Sequence, residues 1–170
     1  MTNADAAGNI ATLESADELQ ACAHASFEVG TGKTIFFWQH LFEGGVRDLA
    51  LAEALTTKPS ISKHHIKRVT YLKHQNQTCP YQALAITEGV GWGWHLAWAD
   101  SEILYIVRLD GEAWVSSIPK KVVVDHIDAL QFIQNTGSLS IQWKTVEGET
   151  VQMQSEDDGR SWLPPAIDKD

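Results

Sequence analysis

Two tryptophans in a glycine-rich loop are the side chains of this sequence best suited to binding a ligand. The loop reads Gly-Val-Gly-Trp-Gly-Trp over residues 89–94, and two carboxylates lie close to it in the sequence. Indole rings offer a broad stacking and anchoring surface, and carboxylates accept hydrogen bonds from hydroxyl groups. The predicted ligand-binding residues are Glu88, Trp92, Trp94 and Asp100.

A competing interpretation places part of this loop in the protein core. Trp94 alternates with Leu96 and Trp98, which is the period of a half-buried strand, and this would leave only Trp92 free to bind. A phosphate-binding loop is excluded, because no Gly-Lys-Ser/Thr follows and a strand comes where a helix would be needed.

Metal-binding and catalytic patterns are weak. Of the seven histidines, His64 and His65 are neighbours that would face opposite sides of a strand, and His24, His95 and His126 do not share one repeat position. We therefore predict no metal and no cofactor.

Paired carboxylates could serve a glycoside hydrolase. The candidates are Glu28, Asp48, Asp100 and Asp128. No spacing distinguishes one pair among them, so we predict no catalytic residue. The sequence favours a protein that is not an enzyme and leaves an enzyme open as the alternative.

Composition limits the class of partner. The 170 residues carry a net charge of −9, from 13 basic and 22 acidic side chains. This balance argues against nucleic acid and anionic membranes, which need a Lys/Arg surface. A glycan or a protein remains as the partner, including a basic enzyme.

No apolar run approaches the ~20 residues of a membrane span, and the first 25 residues lack the pattern of a signal peptide.

One β-rich unit recurs three times along the chain. Each copy has an alternating apolar run, a glycine-containing turn and a second alternating run that ends in tryptophan. The three tryptophans are Trp38, Trp98 and Trp143, spaced by 60 and 45 residues. This period is close to the ~40–50 residues of one propeller blade.

The predicted fold is all-β, with about three antiparallel propeller-like blades per chain. An irregular lead-in over residues 1–21 precedes a single β domain over 22–170. Its predicted repeats are 22–74, 75–121 and 122–165, with outer strands at 64–73 and 115–124.

A turn motif supports this interpretation. Residues 155–162 read Ser-Glu-Asp-Asp-Gly-Arg-Ser-Trp and fit the pattern Ser-x-Asp-x-Gly-x-(Ser/Thr)-Trp, while residues 107–114 keep only the glycine and tryptophan. The acids suit the capping of backbone N–H groups, and glycine suits a positive φ. The pattern resembles the Asp-box (BNR repeat) of sialidase-like β-propeller proteins. In that family the box is structural and lies away from the catalytic face; the matching residues are Ser155, Asp157, Gly159 and Trp162.

The resemblance does not extend to a sialidase site, which needs three converging arginines. The arginines of this chain are Arg47, Arg68, Arg108 and Arg160. They occupy dissimilar blade positions, so we do not expect them to converge.

Because propellers typically have ~4–8 blades, three blades would not close a ring. A homodimer could complete it, an open monomer could cap its edges, or the chain could be part of a longer protein.

The resemblance also bears on the two cysteines. Cys22 and Cys79 start successive copies, and the first strands of neighbouring blades lie side by side, so a Cys22–Cys79 disulfide is plausible. A bridge would favour the periplasm or secretion, with Met1 added to a mature chain. Without it we expect a cytoplasmic protein.

Taken together, these features predict a non-catalytic binding protein on a sialidase-like scaffold that recognises a glycan or protein surface through its loops. An acidic inhibitor or immunity-type protein and a glycoside hydrolase of sialidase-like fold are the alternatives.

Overall fold

A computed structural model describes residues 22–30, 32–55, 66–71, 79, 81–90, 93–111 and 116–167. These residues form twelve strands in three four-stranded antiparallel sheets, so the predicted all-β class is confirmed. The chain divides into two compact units, residues 1–80 and 81–170. The predicted lead-in, 1–21, lies outside the described residues.

The first unit holds one sheet in the order β1-β2-β3-β4. Its strands are β1 (His24–Val29), β2 (Lys33–Phe42), β3 (Val46–Leu55) and β4 (Lys67–Arg68). Gly44 and Gly45, with φ of 81° and 74°, make the turn between the two long strands. Period-two alternation places Phe36 and Trp38 on one face, where they pack with small residues of β3.

The second unit holds two sheets, in the orders β5-β6-β7-β8 and β12-β11-β10-β9. The first contains β5 (Leu84–Glu88), β6 (Trp94–Asp100), β7 (Ile103–Leu109) and β8 (Lys120–Val123). The second contains β9 (Ile127–Asn135), β10 (Ser138–Thr145), β11 (Thr150–Ser155) and β12 (Ala166–Ile167).

One apolar core joins the two sheets of the second unit. Ala97 and Ile106 contribute from one sheet, and Ile141 and Trp143 from the other. Trp98 is also buried, but it alternates with Ala97 along β6 and so points to the opposite face of its sheet. The repeated tryptophans therefore share a sequence position without sharing one core.

Strand pairing follows the predicted repeat with one shift. The third strand places Ala50, Tyr105 and Val151 opposite the three tryptophans. In the first strand Leu84 and Leu130 lie opposite Trp98 and Trp143, whereas His24 lies opposite Trp38. The first copy is thus offset from the other two at its first strand.

The outer strands are shorter than predicted. In the described part of the 115–124 segment, residues 116–124, the structure has only β8, Lys120–Val123, preceded by an isolated bridge between Ser116 and Leu109. Pro119, which has no N–H for a ladder, precedes β8. In the 64–73 segment the described part forms only β4; residues 64–65 and 72–73 lie outside the described residues.

A buried ion pair holds β4 against β3. Arg68 is paired with Asp48, which has no solvent exposure. Thr70 Oγ1 donates to Asp48 Oδ1 at 3.0 Å and accepts from Leu49 N at 3.0 Å. Because a buried carboxylate is costly unless paired and hydrogen-bonded, this short segment is specified by polar contacts.

The predicted disulfide is present. Cys22 and Cys79 are bonded, 57 residues apart, with Cα atoms 5.4 Å from each other. Arg47 is buried beside the bridge, and its Nη1 lies 3.5 Å from Cys22 Sγ and donates to Gln39 O at 3.2 Å. The described residues contain no helix long and apolar enough to cross a membrane.

Replacing both Cys22 and Cys79 with serine is expected to lower the free energy of unfolding by about 4 kcal/mol. The reason is the entropy that the 57-residue loop would regain in the unfolded chain. Denaturant unfolding of the oxidised protein and the double variant measures the difference. Reductant should lower the stability of the natural sequence and leave that of the variant unchanged; equal midpoints without reductant would contradict the prediction.

Candidate functional site

The 155–162 turn is held by side chains that cap its own backbone. Ser155 Oγ accepts from Gly159 N at 2.8 Å and donates to Asp157 Oδ1 at 2.8 Å. Asp157 accepts from Ser161 N at 2.8 Å and from Ser161 Oγ at 2.6 Å. Gly159 has a φ of 73°, and Trp162 packs against the core of the second unit. Ser155 and Asp157 thus cap backbone N–H groups of the turn, and Gly159 supplies its positive φ.

The same hydrogen bonds keep Asp157 ionised. The Ser161 hydroxyl, then the Ser161 N–H and the Ser155 hydroxyl, lower the pKa of Asp157 to about 2. An acid of this kind serves as a fixed acceptor, and it does not supply a proton near neutral pH.

Asp158, the next residue, points away from the turn and makes contacts elsewhere in the second unit. Its φ of 57° lies in the left-handed region. Asp158 Oδ1 accepts from Val90 N at 3.0 Å and from His95 Nε2 at 2.8 Å. Asp158 Oδ2 lies 3.1 Å from Arg108 Nη2. One carboxylate thus connects the loop after β5 with strands β6 and β7.

His95 and Arg108 form the polar end of the core in this unit. They are cross-strand partners on β6 and β7, adjacent to the pair Ala97 and Ile106. His95 is only 1% exposed. Burial lowers the pKa of His95, and the hydrogen bond and charge of Asp158 oppose that effect without cancelling it.

The pKa of Asp158 is also lowered. Burial by itself would raise it, but the Val90 N–H, His95 and Arg108 together outweigh that effect. Near neutral pH the cluster therefore consists of a neutral imidazole, a carboxylate and a guanidinium.

Gly159 makes this packing possible. A Cβ atom on it would lie 2.8 Å from His95 Cε1 and 2.9 Å from His95 Nδ1. The left-handed φ and the close imidazole both require glycine at this position.

Two cavities flank the 155–162 turn. The first, which we name the amide pocket, has a volume of about 360 Å³. Its polar lining comes from the β9–β10 hairpin and from the turn, with Val90 at its edge. The residues that define it here are Val90, Gln134, Asn135, Glu156, Asp158 and Arg160.

The second cavity, which we name the cationic pocket, has a volume of about 530 Å³. It lies between β7, the segment before β8 and the turn. The residues that define it here are Arg108, Ser117, Lys120, Arg160, Ser161 and Trp162. Both volumes fall in the ~300–1,000 Å³ range of small-molecule sites.

The structure brings together only part of the predicted binding set. Glu88 ends β5 and lies opposite Trp94 in the sheet. The Gln134 side-chain amide donates to the Glu88 carbonyl, which brings this strand end to the β9–β10 hairpin. Asp100 is at the opposite end of β6 from Trp94, about 20 Å away at the rise of a strand. Trp92 lies outside the described residues.

The arginines also depart in part from expectation. Arg108 and Arg160 line one cavity, the cationic pocket, although the sequence predicted no convergence. Arg47 and Arg68 make their contacts within the first unit, beside Cys22 and with Asp48.

Sequence analysis missed the cluster of His95, Arg108 and Asp158. The sequence pattern assigns the acids of the 155–162 turn to capping, and it gives His95 no metal-binding role. The available signal was the parity of β6, since His95 shares the core face with Ala97 and Ala99 and needs a buried partner there. Among the described residues no group of three or more His, Cys, Asp or Glu is arranged to hold a metal ion.

No protein-family model and no curated protein matches this sequence. Among solved structures, an α-L-arabinofuranosidase from Clostridium thermocellum is similar with a TM-score of 0.47 and 7% identity, covering 83% of this chain and 49% of its own. A fucose lectin from Kordia zhangzhouensis, solved with methyl-fucoside, has a TM-score of 0.42 and 11% identity, covering 86% and 97%. This chain therefore spans about half the length of the arabinofuranosidase.

The stability of the protein is expected to fall as the pH drops from 7 to 5. Because the pKa of folded His95 lies below its ordinary value of 6.5, the unfolded chain takes up the proton first. The contribution of His95 to the free energy of unfolding is therefore fully present above that pH. Below it, this contribution falls by up to about 1.4 kcal/mol per pH unit. The lowered pKa of Asp158 acts only below its ordinary value of 3.8. Unfolding of the natural sequence and of His95→Gln measures the effect; equal pH slopes from 7 to 5 would contradict it.

Gly159→Ala is expected to destabilise the protein more than Gly148→Ala. Both glycines have a positive φ, of 73° and 84°, and that conformation costs a residue with a side chain about 1–3 kcal/mol. At Gly159 the new Cβ would also displace His95, whereas no atom of the described residues lies within 4 Å of a Cβ at Gly148. Thermal unfolding compares the two variants, and an equal loss would show that the His95 contact is unimportant.

Proposed function

We propose that this chain is a non-catalytic carbohydrate-binding protein and that the amide pocket is its binding site. The observation that supports the proposal is the lining of that cavity. Two side-chain amides, three carboxylates and the Arg160 guanidinium line about 360 Å³ next to the loop that follows β5. The sequence places its glycine-rich tryptophan loop there.

The lining matches the hydrogen bonds of a sugar. A saccharide hydroxyl both donates and accepts, and a side-chain amide can serve both needs. Asn135 supplies such an amide at the end of β9, and Glu156 supplies an exposed acceptor at the second position of the turn. These groups suit a neutral ligand rich in hydroxyls.

The walls of the amide pocket are fixed before a ligand arrives. Gln134 is bonded to the Glu88 carbonyl, and Asp158 holds the Val90 N–H at 3.0 Å. A pocket ordered in advance spends less conformational entropy on binding. In this proposal Trp92, two residues after Val90, provides a stacking surface for the sugar ring, and Glu88 and Trp94 support the loop. Asp100 takes no part, because it lies at the other end of β6.

The charge states favour binding over hydrolysis. A glycoside hydrolase needs a carboxylic acid with a raised pKa as its proton donor. The pKa values of Asp157 and Asp158 are both lowered, and their oxygens are occupied by Ser161, His95 and Arg108. We further propose that the protein works in an oxidising compartment, where the Cys22–Cys79 bridge would persist.

A screen of immobilised neutral saccharides followed by calorimetry tests the function. Asn135→Ala and Glu156→Gln are each expected to weaken binding of the selected saccharide by about tenfold, the effect of one or two lost hydrogen bonds.

Matched controls are available on the same sheet. Gln131→Ala removes another amide of β9, one that is bonded to Gln142, and Glu149→Gln removes an exposed carboxylate before β11. Both should bind as the natural sequence does. Absence of any neutral saccharide ligand, or equal effects of site and control variants, would refute the proposed function.

A further inference from the structure

We propose that the cationic pocket is a second binding site and that it takes a sulfate or phosphate ester group carried on a ring. The two esters share one chemistry, a tetrahedral oxyanion with at least three terminal oxygens. The proposal rests on this cavity alone and is independent of the amide pocket as a carbohydrate site.

The first observation is the sign of the charge. Among the residues that the structure describes, three cationic side chains line the cavity, Arg108, Lys120 and Arg160, and no acidic side chain does. The whole chain has a net charge of −9. Gathering three of the 13 basic residues around one cavity of an acidic protein creates a local field that attracts anions.

The second observation is that the three cations come from different elements. Arg108 lies on β7, Lys120 begins β8, and Arg160 belongs to the 155–162 turn. Cations that approach from separate directions match the spread oxygens of a tetrahedral group. A planar carboxylate, with two oxygens on one edge, suits a single arginine fork better.

Contacts within the protein hold two of the three cationic side chains in place. Arg108 Nη2 lies 3.1 Å from Asp158 Oδ2, and Arg160 Nη1 donates to Asp157 O at 2.9 Å. A guanidinium has five N–H donors, so each can keep its anchor and still contact a ligand. Asp158 offsets part of the charge of Arg108, so Lys120 and Arg160 carry most of the attraction.

A hydroxyl donor and an aromatic ring complete the cavity. Ser117 Oγ accepts from Arg108 N at 3.0 Å, which leaves its own hydrogen available as a donor. Trp162 lies at one side with its ring partly buried against the core. Ile118, which also lines the cavity, is 94% exposed. An anion with a ring or an apolar face could cover both side chains.

Calorimetry and NMR titration with defined probes test the site. The probes are inorganic sulfate, glucose 6-sulfate, glucose 6-phosphate and glucuronic acid, each at up to about 10 mM. We expect the two esters to bind more tightly than inorganic sulfate, because only they can cover Trp162. Glucuronic acid should bind at least about tenfold more weakly than the better ester. The preferred ester identifies the source of the oxyanion.

The variant Lys120→Met tests whether the cationic pocket itself binds the ester. We expect the variant to bind the ester about tenfold more weakly. We also expect fewer Trp162 resonances to shift when the ester is added. Lys121→Met is the matched control, since Lys121 is the next residue of β8 and lies near the Tyr105 ring, 5.5 Å from its centroid. That variant should bind esters as the natural sequence does, and Lys120→Arg should retain binding.

The proposals for the two pockets can be refuted independently of each other. Arg160 lines both cavities, so the discriminating variants are Lys120→Met and Asn135→Ala. The first should leave neutral saccharide binding unchanged, and the second should leave ester binding unchanged. The inference is overturned if neither ester binds, if glucuronic acid binds as tightly as the esters, or if Lys120→Met and Lys121→Met have the same effect.

Discussion

Three separate segments of the second unit meet at the carboxylate of Asp158, which connects the loop after β5, β6 and β7. It lies at the polar end of an otherwise apolar core and receives hydrogen bonds from Val90 N, His95 Nε2 and Arg108. Hydrogen bonds to a charged group contribute about 1.5–3 kcal/mol each, and a buried imidazole or guanidinium without a partner would be costly. The neutral imidazole and the charged pair are compatible only because burial outweighs the attraction of Asp158 for a proton on His95.

The 155–162 turn holds Asp158 in these contacts and also forms part of the lining of two cavities. Its internal bonds, from Ser155 and Ser161 to Asp157, fix the backbone so that Asp158 can take a left-handed φ and point away from the turn. One side of the turn borders the amide pocket and the other borders the cationic pocket. A structural motif thereby becomes the wall of two candidate sites. Arg108 lines only the cationic pocket and Asp158 lines only the amide pocket, whereas Arg160 lines both.

The first unit is stabilised by different means. Its β4 has two residues, too few to hold by strand pairing alone, and the Asp48–Arg68 pair with Thr70 supplies the missing specificity. Phe42 and Tyr71 contact the Arg68 guanidinium, with ring centroids 4.8 and 4.7 Å from its carbon. Such contacts suit arginine rather than lysine, since the planar guanidinium can stack and pair at once. The disulfide closes the same unit covalently.

The sequence by itself determined the class of fold and the local turns. Alternation in residues such as Leu96, Trp98, Ile141 and Trp143 specifies strands, and Ser155, Asp157 and Gly159 specify their turn, because these signals act over a few residues. Equivalent cysteine positions made a bridge plausible and left its formation open. Only the tertiary structure decided which face of each strand meets a partner, so Trp98 and Trp143 lie on different sides of their sheets. It alone placed Asp158 against His95, 63 residues away, and gathered Arg108, Lys120 and Arg160 around one cavity. Those contacts join distant segments through the packing of two sheets, and no local pattern encodes them.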